Sequence, residues 1–226
     1  MFGKLYIVST PIGNLKDITS RALETLEQVD FILCEDTRVT SRLLKHYNIT
    51  KKLVSFNAVS ENKKIPIALK RIQTGENCAL VSDAGTPAIS DPGIRLISQA
   101  IKEDIEIIPI PGATALIAAL TVSGLPTDSF VFEGFLPQKK GRQKKLKELS
   151  EEKRTIVLYE STYRIKKLVD ELVDYMPDRF VVVCRELTKK FEETWCSYPS
   201  ELKSEIDQKT IKGEFVVVIA PKGWKI

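Results

Sequence analysis

Histidine is nearly missing from this 226-residue chain, with His46 as its single instance. His46 sits in a helical pattern from Thr40 to Tyr47, so His-ligated metal sites and Ser-His-Asp catalysis lack their parts. Zinc chemistry and acyl transfer are therefore disfavoured, and no metal is expected. The four cysteines, Cys34, Cys78, Cys184 and Cys196, are far apart and form no Cys-x-x-Cys pair. Three of them end apolar runs that look like strands, which reads as reduced, structural thiols. No apolar run approaches the ~18 residues of a membrane span. Met1-Phe-Gly-Lys leads straight into a strand instead of a signal peptide, so a cytoplasmic protein is expected. The nucleotide fingerprints are absent too. No Gly-x-Gly-x-x-Gly follows the first strand and no Gly-Lys-Ser/Thr occurs, which argues against a dinucleotide or P-loop phosphate site. Internal repeats and low-complexity segments are also lacking.

What is present is an ordinary globular composition, 43% apolar and 28% charged, in a length that suits two modest α/β domains. Strands are expected at 5–9, 31–34, 53–56, 78–81 and 105–108. Helices follow each, after Asp17 and Thr19, then at 41–47, 66–74, from Gly93, and at 115–121. Regular alternation predicts a parallel α/β sheet over 1–122, with ligand loops at the carboxyl ends of its strands. A turn-rich link, Ser123-Gly-Leu-Pro-Thr127, leads to a second domain over 127–226. Its strands are expected at 130–133, 155–159, 179–184, 193–196 and 215–219, and its helices at 144–149, 164–175 and 200–206. These lack βαβ regularity, which predicts a mixed sheet.

The chemistry concentrates after the fourth strand. Ala79-Leu-Val-Ser-Asp83-Ala-Gly85-Thr-Pro87-Ala-Ile-Ser-Asp91-Pro-Gly93 turns a buried strand into a rigid loop with two Pro, two Gly, two Asp and no cation. Proline fixes φ and glycine admits close backbone approach, so amides, carbonyls and carboxylates are presented together. A neutral or cationic small molecule suits such a loop, and the sulfonium of S-adenosylmethionine fits its charge. Net charge is only +4, but Lys139, Lys140, Arg142, Lys144, Lys145 and Lys147 place six cations in nine residues. Leu146 and Leu149 give that segment a packing side, which leaves the other side for a polyanion.

Five blocks in order carry a family resemblance: Ser9-Thr-Pro-Ile-Gly-Asn-Leu-Lys-Asp-Ile-Thr19, Cys34-Glu-Asp-Thr-Arg38, Ser82 to Gly93, Pro109-Ile-Pro-Gly112, and Leu125-Pro-Thr-Asp-Ser-Phe-Val-Phe-Glu-Gly-Phe-Leu-Pro137. With Tyr159-Glu-Ser161, Arg185-Glu-Leu-Thr188 and Lys212-Gly-Glu-Phe215, the chain resembles the ribosomal small-subunit methyltransferase I family, of the tetrapyrrole-methylase fold class. The resemblance implies two α/β domains with a cofactor cleft between them, a homodimer, and methylation of a cytidine ribose 2′-oxygen in the decoding region of 16S rRNA in the 30S subunit. It implies S-adenosylmethionine on Pro11, Ile12 and Gly13, on Asp83, Ala84, Gly85, Thr86 and Pro87, and on Pro111, Gly112, Ala113 and Thr114. From the second domain it implies Leu158, Tyr159, Glu160, Leu187, Gly213 and Glu214. The chain departs from the family pattern at Val59-Ser60-Glu61, where a His-Asn-Glu run is expected, and at Thr162-Tyr163, where Pro-His is expected. The family pattern also includes a small helical C-terminal extension, which is not expected here because the sequence stops at Ile226 soon after the last strand.

Methyl transfer to a hydroxyl mainly requires alignment, assisted by a carboxylate that accepts the proton. Glu61, Asp36 and Glu160 are the candidates, each at the carboxyl end of a strand; each can equally cap a helix or pair with an arginine. Arg38, Arg42, Arg164 and Arg185 are candidates for RNA phosphates, as are Lys139, Lys140 and Arg142 in the basic block; structural ion pairing is the alternative for the arginines. Two rival readings remain: methylation of a small tetrapyrrole-type substrate on the same fold, and a non-catalytic RNA-binding or ribosome-assembly factor.

Overall fold

Strands β1 (Leu5–Val8), β2 (Phe31–Cys34), β3 (Lys52–Ser55), β4 (Cys78–Val81) and β5 (Ile107–Ile110) pair in parallel in the order β3-β2-β4-β1-β5. In the computed structural model, which describes residues 2–225, β2 and β4 are buried along their whole length, as a central parallel strand covered on both faces requires. Side chains alternate between the faces. Phe31, Leu33 and Leu80 pack with Ile65, Leu69, Ile72 and Leu96 of α3 (Glu61–Gln73) and α4 (Ile94–Lys102). Ile32, Cys34, Ala79 and Val81 pack instead with Leu26 and Leu44 of α1 (Ser20–Gln28) and α2 (Thr37–His46).

Two helices begin earlier than their apolar spacing indicates, because side chains start them. Asp36 accepts the Arg38 N–H at 2.8 Å and opens α2 at Thr37. Asn57 accepts the N–H groups of Val59 and Ser60 at 3.2 and 3.0 Å, while its carbonyl accepts that of Glu61 at 2.8 Å. Helix α3 thus starts at Glu61 and carries Pro66 inside it, on an exposed position. Strand β5 lies two residues beyond its expected place. It is an edge strand, where Pro109 is tolerated.

The chain divides into two compact units at Thr114/Ala115. The second contains α5 (Ala115–Ser123), β6 (Phe130–Phe135), α6 (Arg142–Leu149), β7 (Thr155–Ser161), α7 (Ile165–Tyr175), β8 (Val181–Arg185), β9 (Glu193–Ser197), α8 (Pro199–Glu205) and β10 (Glu214–Ile219). Its sheet runs β6-β7-β10-β8-β9, parallel between β6 and β7 and antiparallel elsewhere, which is the expected mixed sheet. One face packs Ile156, Leu158, Val183 and Val217 against Leu146, Leu168, Leu172 and Leu202 of α6, α7 and α8. Helix α5 packs on β10 and is grouped with this unit, although its sequence position follows the last parallel strand. Among the described residues, no helix is long and apolar enough to cross a membrane.

Candidate active site

All five strands of the first sheet point the same way, so the segments that follow them emerge along one edge. There β4 and β1 lie side by side while the chain leaves them for β5 and β2, on opposite sides, which opens a crevice at the carboxyl ends. Three loops meet at that point. Thr10 and Gly85 exchange both backbone hydrogen bonds, at 2.9 and 3.1 Å, and the Thr10 hydroxyl donates to the Ser82 carbonyl at 3.1 Å. The Thr86 hydroxyl donates to the Ala113 carbonyl at 3.2 Å and sits 2.9 Å from the Ser9 hydroxyl, which is left as the donor of that pair. Segments 9–13, 82–87 and 111–114 are therefore fixed to one another before any ligand arrives.

Close approach explains the glycines. A Cβ on Gly112 would stand 2.9 Å from the Ser9 Cβ, and Gly85 at φ +85° would crowd Ile12 at 3.3 Å. The same loop holds Ala88 and Ser90 at φ +68° and +62°, a conformation that side chains disfavour and that clusters at ligand-binding sites. Gly93 closes the loop at φ +136° and donates its N–H to the Glu61 carboxylate at 3.1 Å.

The carboxylates at this edge differ sharply in environment. Asp36 holds the Arg38 guanidinium at 2.6 Å, and bonds from the Arg38 side chain and backbone keep its carboxyl down at about 2. The Asp36 N–H donates to the Asp83 carboxylate at 3.0 Å. Neighbouring Glu35 is half-buried; burial first, then the charges of Asp91, Asp83 and Asp36, raise its pKa. Asp91 is raised as well, by burial and by Asp83, against a hydrogen bond from Ser82. Glu61 is buried against Gly93, and its carboxylate holds the end of the loop. Among the described residues, no group of three or more His, Cys, Asp or Glu is arranged to hold a metal ion.

In the second unit the ladder sets Phe135 beside Tyr159, Glu214 beside Ser161 and Phe215 beside Arg185. The turns after β6, β7 and β8 and the start of β10 thus share one end of the sheet, where Tyr159, Leu187, Gly213 and Glu214 lie. Gly213 is at φ +115°, and a Cβ there would press on the Glu186 side chain at 2.5 Å. Leu158 is in the core and Glu160 is fully buried, ion-paired to Arg164 at 2.8 Å and to Arg142 at 3.6 Å.

Two of the expected RNA contacts are corrected here. The Arg142 side chain is 3% exposed, since α6 turns it to the same side as Leu146 and Leu149. It donates through Nε to both Glu171 oxygens at 2.9 and 2.8 Å and through Nη1 to the Pro137 carbonyl at 3.2 Å. Burial opposes its charge, but Glu171 and then Glu160 outweigh that, and its pKa is raised. Arg185 also faces inward, donating to the carbonyls of Lys212 and Phe191 at 2.7 and 2.9 Å. Arg164 is largely enclosed, with its guanidinium on the Leu136 carbonyl at 3.1 Å. Glu160 is corrected with them: a carboxylate sealed between two arginines cannot reach a substrate. Arg38, Arg42, Lys139 and Lys140 are exposed.

Residues 4–202 match the family model of the tetrapyrrole (corrin/porphyrin) methylases. The chain is 47% identical over 225 residues to ribosomal RNA small subunit methyltransferase I of Halalkalibacterium halodurans, covering 99% of this chain and 78% of that one. It belongs to this methyltransferase family. The Thermotoga maritima relative of the same name is 46% identical, with 97% of this chain and 99% of that one covered. Solved structures agree on the fold: diphthine synthase superposes with TM-score 0.74 at 16% identity, over 96% of this chain and 90% of that one. Uroporphyrin-III C-methyltransferase of Thermus thermophilus, complexed with S-adenosylhomocysteine, gives 0.67 at 16% identity over 96% and 97%.

The methylase's first-unit loops suit a neutral or cationic small molecule. Gly13, Ala84, Pro111 and Gly112 leave backbone exposed at the crevice, carboxylates gather beside it, and residues 79–93 contain no cation to repel a sulfonium. Sequence reasoning did not single out Ser9, whose part is a hydroxyl bond across 77 positions of chain, or Glu35, whose perturbation comes from strands that meet only in the sheet. The Cys-Glu-Asp-Thr-Arg block was the available signal for Glu35.

Proposed function

We propose that this methylase transfers a methyl group from S-adenosylmethionine to the ribose 2′-oxygen of a cytidine in the decoding region of 16S rRNA, acting on the 30S subunit as a cytoplasmic homodimer. Identity of 47% over 225 residues to a ribosomal RNA small subunit methyltransferase I carries the reading. The first-unit loops 11–13, 83–87 and 111–114 hold the cofactor, preorganised by the Thr10–Gly85 bridge and the Ser9–Thr86–Ala113 chain. When bound, S-adenosylmethionine supplies a methyl group already activated by positively charged sulfur. Alignment by rigid loops is then the main requirement and can contribute ~7–11 kcal/mol.

Glu35 is the proton acceptor in this proposal. An effective base has a pKa near the working pH; Asp36 is held far below it, whereas Glu35 is raised toward it. Arg38 and Arg42, exposed on α2 beside Glu35, suit phosphates of the incoming strand. The test is transfer of labelled methyl to 30S subunits that lack the modification, followed by nuclease digestion. Label on a cytidine 2′-oxygen supports the proposal; cofactor binding without label on any rRNA nucleotide overturns it.

A further inference from the structure

The end of the mixed sheet that carries the turns after β6, β7 and β8 leaves large rings in solvent. Tyr163 is 94% exposed, Phe191 63% and Phe135 51%. None sits on loose chain. Thr162, beside Tyr163, donates its hydroxyl to the carbonyls of Ile211 and Gly213 at 2.5 and 3.0 Å. Arg164, on the other side, is bonded to the Leu136 carbonyl and lies 5.6 Å from the Phe135 ring centroid. Arg185 holds the Phe191 carbonyl at 2.9 Å. The β6–β7, β7–β10 and β10–β8 registers bring these three turns to the same end.

Exposed cations lie on segments at the same end of the sheet. Lys139, Lys140 and Lys212 are exposed and make no ion pair among the described residues. Of the acids nearby, Glu186 and Glu214 both hold Lys189, at 2.9 and 2.8 Å, Glu193 holds Arg185 at 3.3 Å, and Glu192 accepts the Thr188 N–H. Rings held in place beside unpaired lysines match what a single strand offers, bases with open faces and phosphates between them. A duplex hides those faces.

We propose that Tyr163, Phe191 and Phe135 form a stacking platform for unpaired RNA bases, with Lys139, Lys140 and Lys212 on the intervening phosphates. The platform rests on the rRNA-substrate reading and adds how the strand is gripped. It is tested with a short fluorescein-labelled single-stranded oligocytidylate, an RNA hairpin of the same length, and 30S particles. Tyr163→Ala should weaken oligocytidylate binding by roughly 5- to 150-fold, the range for one base stack, with the salt slope unchanged. Lys139→Ala with Lys140→Ala should flatten that slope, by ~0.7 for each phosphate no longer neutralised. Tyr163→Trp should keep the affinity and show fluorescence quenching on binding. Because Tyr163 is almost wholly in solvent, its replacement leaves the fold intact, and Phe191→Ala repeats the test at a second ring. Unchanged oligocytidylate affinity in both alanine variants overturns the platform while leaving the rRNA reading standing. So does loss of 30S binding alone, which points to a protein contact. Hairpin binding that equals single-strand binding also overturns it. Absence of any RNA binding by the unaltered protein removes the platform together with the reading beneath it.

Discussion

Arg142 offers the sharpest test, because the basic block and the tertiary structure assign it opposite roles. As one of six cations in nine residues it belongs on RNA; as a side chain 3% exposed between Glu160 and Glu171 it belongs to the core of the second unit. Arg142→Ala would remove three hydrogen bonds and leave Glu160, itself fully buried, with Arg164 as its remaining ion-pair partner beside the Ser161 N–H. Removing one member of a buried ion pair costs about 3–5 kcal/mol. At ~2–4 °C per kcal/mol for a chain of this size, the melting temperature should fall by roughly 6–20 °C. Lys140→Ala, on the exposed side, should stay within about 0.5 kcal/mol of the parent. Arg142→Lys should recover only part of the loss, since an ammonium cannot reproduce the fork on Glu171. Calorimetric melting and the salt dependence of RNA affinity, measured together, separate the roles. The reasoning is refuted if Arg142→Ala melts like the parent and flattens the salt slope as Lys140→Ala does.

Three further outcomes follow from the same geometry. Glu35→Gln should lower methyl transfer by roughly 10²–10⁴-fold, and in the parent the rate should drop as pH falls through the raised Glu35 pKa. The same substitution should stabilise the fold near neutral pH. A carboxyl whose folded pKa is raised binds its proton more tightly folded than unfolded, so stability is lost as pH rises through the folded value, and glutamine abolishes that loss. A parent pH–rate profile that is flat through the acid range excludes Glu35 as the acceptor. Gly112→Ala should push the loop after β5 off Ser9, at about 1–3 kcal/mol, and weaken S-adenosylmethionine binding in calorimetry; unchanged affinity would show that this loop does not touch the cofactor. A thiol reagent should label Cys196 alone in the native protein, because Cys34, Cys78 and Cys184 are buried and burial pushes Cys184 up to about 11. Rapid labelling of more than one thiol would contradict the packing of both sheets.

Local pattern alone determined a great deal of this protein. The strands at 31–34 and 78–81 were legible to the residue, because a continuous apolar run bounded by polar residues fits a parallel strand covered on both faces. Regular alternation of strands with helices determined the parallel sheet, the lack of that regularity determined the mixed one, and the motif blocks determined the family. The starts of α2 and α3 were less legible, since Asp36 and Asn57 begin them through side-chain bonds that carry no apolar period. Tertiary structure alone decided which charges face solvent. Arg142 and Lys140 look alike in a basic run, yet the first turn of α6 buries the first against Glu171, while the second stays exposed in the turn ahead of that helix. It also decided which carboxylate is perturbed. Glu35 and Asp36 are adjacent in the chain, but one is half-buried near the charges of Asp91 and Asp83 and the other is paired with Arg38. Both outcomes depend on the distance between groups far apart in sequence and on how much water the fold leaves around them, and electrostatic energy varies with these two quantities.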